Sequence, residues 1–92
     1  MKQHIIEDQF KELSEKGSQA WRQWLITKGY FSDMTADWII PARTQIGVMV
    51  EFLEEHSVSI WSVLIISVDE FYTPVEKWCD TLWNACKEKL EQ

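Results

Sequence analysis

A stretch of 92 residues has room for one domain, with a core near the lower limit for independent stability. Fifteen acids against nine bases give a net charge of −6, and the bases are scattered along the chain without forming a stripe. That pattern argues against direct binding to a phosphate backbone, and the apolar run Ile60–Val68, broken by Ser62 and Ser67, is too short to span a bilayer.

From the N-terminal side, Lys2–Lys16 carries Ile5, Ile6, Phe10 and Leu13 at helical spacing, and Gly17 follows where a helix would stop. Ser18 then suits the cap of a second helix that ends at Gly29, with Trp21, Trp24, Leu25 and Lys28 on one face. Ser32, Asp33, Thr35 and Asp37 before Trp38 indicate a capped turn or short helix. Pro41 fits the first turn of a further helix running to about His56, with Ile46, Met49, Val50 and Leu53 as its stripe. Gly47 inside that helix costs about 1 kcal/mol relative to alanine and suggests that another backbone passes close.

Ser57–Tyr72 is rich in valine and isoleucine, which favour strand. At 100° per residue, however, Trp61, Leu64, Ile65, Val68, Phe71 and Tyr72 share one side, so helix is the expectation and a strand over 57–68 the alternative. Thr73, Pro74, Val75 and Glu76 form a capping box that opens a last helix. Its stripe is Val75, Cys79, Leu82, Cys86 and Leu90, with Trp78 and Trp83 on opposite shoulders. The expected architecture is all-α, one domain of four to five short helices over residues 1–92; the alternative is α+β, with residues 57–68 as a strand.

Little in the chain suggests catalysis. The two histidines, His4 and His56, sit near a terminus and at a helix end, where an imidazolium complements the dipole. Cys79 and Cys86 lie seven apart on one helix, roughly 10 Å at 1.5 Å per residue, which is too far for a disulfide. Their spacing is also wrong for zinc, so they are expected to be reduced core thiols. With no charged-then-apolar leader opening the chain, a cytoplasmic protein is expected. Asp33 with Asp37, and Glu51 with Glu55, stand four apart but suit solvated surface or capping. No glycine-rich phosphate loop is present. The expectation is a protein without enzymatic activity, metal or cofactor.

Six tryptophans are the exceptional feature. A core this small cannot easily hide them all, and tryptophan is enriched among residues that dominate interfaces. Trp21, Trp24 and Trp61 fall within apolar stripes. Trp38, Trp78 and Trp83 are the candidate contacts with a protein partner or a second copy of the chain. Glu54, Glu55, Asp69 and Glu70 close two predicted helices, where acids oppose the macrodipole by about 0.3–1 kcal/mol each. They join the candidate contact set for a basic partner. The competing reading is an oligomeric binder of a planar, nucleotide-like molecule, held between tryptophans with Arg43 beside Trp38, or Arg22 between Trp21 and Trp24, meeting its anionic group.

Pro41, Ala42, Thr44, Gln45, Phe52, Leu53, His56, Val58 and Ile60 resemble a stretch found in uncharacterised small proteins of bacteriophages and prophages. The resemblance covers about a fifth of the chain and includes no catalytic motif. In that family the segment after the histidine looks like a strand, whereas the periodicity here favours helix. The resemblance implies a phage accessory protein that acts in the host cytoplasm by binding and inhibiting or redirecting a host protein.

Overall fold

The computed structural model of the chain describes residues 2–65 and 77–92. Helices α1 (Glu7–Phe10), α2 (Glu15–Lys28), α3 (Ile40–Arg43), α4 (Ile46–Glu55), α5 (Ile60–Ile65) and α6 (Trp78–Leu90) follow in order, with a 3-10 turn at Asp37–Ile39 leading into α3. The chain is all-α. Among the described residues, extended pairing is limited to one antiparallel bridge between His4 and Gln45.

The expected helix over 2–16 is reduced to the single turn of α1. Ile46 N–H donates to Gln3 O (3.1 Å) and Ile5 N–H to Thr44 O (3.3 Å), so the backbone of residues 3–5 is bonded to the α3–α4 corner. A helix through these residues would have to break those bonds. Gly17 does not stop a helix either. Ser14 Oγ accepts from Gly17 N–H (3.1 Å) and caps α2, which places the glycine inside its first turn. Glu91 lies across that turn and accepts from Ser14 N–H (3.1 Å) and Ser14 Oγ (2.9 Å). A Cβ on Gly17 would fall on Glu91 Oε1 and 3.2 Å from Leu13 Cδ2. The close approach expected at Gly47 is found here instead; a Cβ on Gly47, in the first turn of α4, meets nothing within 4 Å.

Gly29 does end α2, with φ of 84° in the left-handed region that a side chain would oppose. The long helix expected from Pro41 to His56 is divided at Thr44, whose ψ of 71° is not helical. The division has a cause in the core. Thr44 is completely buried, and its hydroxyl accepts from Trp21 Nε1 (2.9 Å) while donating to Ile40 O (2.9 Å). Residues 60–65 of the ambiguous segment are helical, in line with the 100° periodicity. The capping box Thr73–Glu76 lies outside the described residues.

Helices α4 and α6 form the centre, with α2 and α5 packed on α6. Met49, Phe52 and Leu53 of α4 are buried with Cys79, Leu82, Cys86 and Leu90 of α6, the stripe the sequence predicts for its described positions. Trp21 from α2 is the hub. It stacks on Trp24 (centroids 5.2 Å, 8°) and meets Phe52 and Trp83 edge-on at 5.0 and 6.0 Å. Pairs of this geometry add about 0.5–1.5 kcal/mol each beyond the area they bury.

Candidate functional site

The three tryptophans expected as contacts have different fates. Trp83 is fully buried, with its indole N–H donating to Gln9 O (3.2 Å), so its assignment as a contact is corrected to core. It sits next to the centre of the α6 stripe because α1 and α2 close over that shoulder as well. Trp78 is half-buried and packed against the core. Trp38 is 74 % exposed.

The 3-10 turn presents Trp38. Pro41 and Phe10 lie beside it, and together they line an open groove of about 220 Å³ whose other walls are Glu7, Lys11 and Asp37. Packing of α1 against α3 brings these residues together. Two further apolar side chains are exposed close by in sequence: Met34, at 93 %, in the loop before the turn, and Ile6, at 51 %, at the start of α1. Met34 is detectable in the sequence as the lone large apolar residue inside the polar run 32–37. Phe10 is hidden there by its place in an apparent core stripe.

The charges around the groove are paired. Lys11 Nζ pairs with Glu7 (3.1 Å), and Arg22 holds Asp33 (Nη1, 3.2 Å) and Asp37 (Nε, 3.1 Å). Arg22 also lies over the Phe31 ring, 5.4 Å from its centroid. It therefore buttresses the 31–37 loop instead of standing between Trp21 and Trp24. Those two rings are in direct contact, so the space a planar ligand would take between them is filled.

The acids at the helix ends divide as well. Glu54 is exposed. Glu55 is met by Lys28 from α2 and by Trp24 Nε1 (3.3 Å), and the hydrogen bond from Lys28 holds its carboxyl below the usual range. The opposition between Glu55 and the α4 dipole is thus balanced by a tertiary cation. Tyr30 donates to Glu51, whose second oxygen lies 3.9 Å from Lys28. The hydrogen bond to Glu51 raises the Tyr30 phenol, and the one with Glu55 raises the Lys28 ammonium. Asp69 and Glu70 lie outside the described residues.

Arg43, the last residue of α3, does not join Trp38. It lines a separate cavity of about 410 Å³ together with Tyr30, Phe31, Ser32, Thr35 and Gln45. Cys79 and Cys86 are free and buried, and burial pushes both thiols up. His56 caps α4, its Nδ1 2.8 Å from Phe52 O. Among the described residues no group of three or more His, Cys, Asp or Glu could hold a metal ion, and no helix is long and apolar enough to cross a membrane. Compared with protein-family models, curated proteins and solved structures, the chain matches none.

Proposed function

We propose that this chain is a non-enzymatic protein–protein contact module in which Trp38 is the anchor. The observation that carries this reading is a tryptophan 74 % exposed beside a groove walled by Phe10 and Pro41. In a chain that buries Trp21 and Trp83 completely, leaving a third indole in water forgoes burial worth roughly 1.5–3 kcal/mol for a large apolar side chain. A partner that covers it recovers that energy. Among the charged residues that line the groove, the acids Glu7 and Asp37 outnumber the base Lys11, in a chain of net charge −6.

The occupant is a protein that presents an apolar side chain flanked by basic residues. A second copy of this chain would bring its own net charge of −6 to the contact. The resemblance of residues 41–60 to small bacteriophage proteins supports a host protein as that partner, bound and inhibited in the host cytoplasm.

The test compares the wild type, Trp38→Ala and Glu54→Gln as baits at two ionic strengths, alongside the solution mass of each. One protein retained in stoichiometric amount by wild type and Glu54→Gln is expected to be lost with Trp38→Ala by about thirtyfold or more, the scale of a hot-spot residue. Higher salt should weaken it. Equal retention by Trp38→Ala overturns the assignment. A dimer of the wild type that Trp38→Ala dissolves would replace the basic partner with a second copy.

A further inference from the structure

The cavity around Arg43 shares no lining residue with the Trp38 groove, and it carries polar side chains without a hydrogen-bond or ion-pair partner among the described residues. Lys2, Lys11, Arg22, Lys28 and Lys87 pair with carboxylates, whereas Lys16, Lys77 and Lys89, which do not line this cavity, show no such pair among the described residues. Arg43 has no carboxylate partner among the described residues, although it sits in the larger concavity. The Thr35 hydroxyl and the Gln45 side-chain amide line the same space, and among the described residues neither makes a hydrogen bond. Gln45 is the N-cap residue of α4, but its side chain makes no capping bond.

The walls around these groups are held in place. Gly29 turns the chain out of α2, Tyr30 N–H returns to Leu25 O (2.9 Å), and Thr35 N–H donates to Ser32 O (2.9 Å). Arg22 ties down the rest of the loop through Asp33, Asp37 and the Phe31 ring. On the other side, Gln45 is bridged to His4. The two arginines of the chain therefore have separate roles: Arg22 shapes the loop that walls the cavity, and Arg43 lines it with no carboxylate partner among the described residues. A volume of about 410 Å³ is within the range of small-ligand sites.

The geometry points to a binding site for a small organic carboxylate, with Arg43 pairing the carboxylate, Thr35 and Gln45 supplying further hydrogen bonds, and Tyr30 and Val48 contacting the apolar body. One arginine in a chain of net charge −6 suits a monoanion better than a polyphosphate.

The experiment is a titration of the 15N-labelled full chain with sodium benzoate at fixed pH and ionic strength, followed by amide shifts, with benzamide and inorganic phosphate in separate arms. Benzoate should give saturable shifts confined to residues 29–35 and 43–48, and benzamide should not saturate. Arg43→Gln should weaken benzoate about 10- to 100-fold, the worth of one charged hydrogen-bonding group, and Arg43→Lys by less. Arg43 is exposed, so the variants should keep the wild-type spectrum elsewhere. Non-saturating benzoate shifts, shifts spread over other surfaces, or undiminished binding by a folded Arg43→Gln would overturn the site. Saturable phosphate binding without benzoate binding would overturn the carboxylate assignment.

Discussion

Replacing Thr44 by valine isolates one hydrogen bond at the centre of the molecule. The two side chains are close in shape, so no cavity term enters. What changes is that the Trp21 indole N–H, which donates to Thr44 Oγ1 at 2.9 Å inside a fully buried site, loses its acceptor. A buried donor left without a partner costs roughly 1–3 kcal/mol. Ile40 O loses the hydroxyl but keeps Thr44 N–H at 3.0 Å, so that side adds little. The expected loss is about 2 kcal/mol, or ~8–16 °C in Tm for a domain of this size. Urea unfolding followed by circular dichroism and by indole fluorescence would measure it, with unchanged m-values. The second arm repeats Thr44→Val in a Trp21→Phe background, where no indole N–H remains at that position; there the loss should shrink to below about 0.5 kcal/mol. A loss that small in the wild-type background, or an undiminished loss in the Trp21→Phe background, would refute the assignment of Thr44 as the acceptor that lets a tryptophan sit at the core.

Three other outcomes follow from the same contacts. Gly17→Ala should displace the exposed Glu91 side chain and leave stability within about 0.5 kcal/mol of wild type, because alanine's propensity gain offsets the lost Ser14 bonds; Glu91→Ala should then destabilise the wild type but not the Gly17→Ala chain, and equal effects in both would sink the clasp. Stability should be flat from about pH 5 to 9 and fall on either side. The folded-state carboxyls of Glu55 and Asp80 are lowered by hydrogen bonds from Lys28 and Lys2, so their contribution is complete above the unfolded values and is lost as pH falls through the folded ones. Lys28 and Tyr30 are raised by hydrogen bonds with Glu55 and Glu51, so theirs is complete below the unfolded values and is lost as pH rises through the folded ones. Lys28→Met should soften both limbs in thermal melts, and an alkaline fall beginning below pH 9 would contradict this assignment. Both thiols should be silent to an aromatic disulfide reagent in the native chain and react fully in urea, since burial raises Cys79 and Cys86 alike; one thiol consumed within minutes in native buffer would disprove that.

The all-α class and the α6 stripe are legible in the sequence because they rest on local periodicity, which the chain carries strongly at Cys79, Leu82, Cys86 and Leu90. What local pattern does not show is competition from distant backbone. Residues 3–5 have helical spacing, yet their amide and carbonyl groups bond to Thr44 and Ile46, some forty positions away. Gly17 resembles a helix stop because the reason for it, the carboxylate of Glu91, lies at the other end of the chain. Thr44 gives no signal at all as a helix breaker; its conformation serves an indole N–H presented by another helix.

The proposed contact surface follows the same division. The place of Trp38 beside a polar loop, a local property, marks it as exposed, whereas the spacing of Trp83 misplaces it because a shoulder of a stripe is outer or inner according to what packs on it. Here α1 covers it, with Gln9 O accepting its indole N–H. The arginines show why the ligand reading has to change. From spacing alone, Arg22 and Arg43 are equivalent partners for a tryptophan. In the fold, Arg22 is committed to Asp33, Asp37 and the Phe31 ring, and that commitment sets the position of the loop. The loop in turn walls the cavity that Arg43 lines. Which arginine is left to meet an anion is thus defined by what the other is tied to, and the proposed apolar anchor and the proposed carboxylate site are separate places whose losses, in Trp38→Ala and Arg43→Gln, should not affect one another.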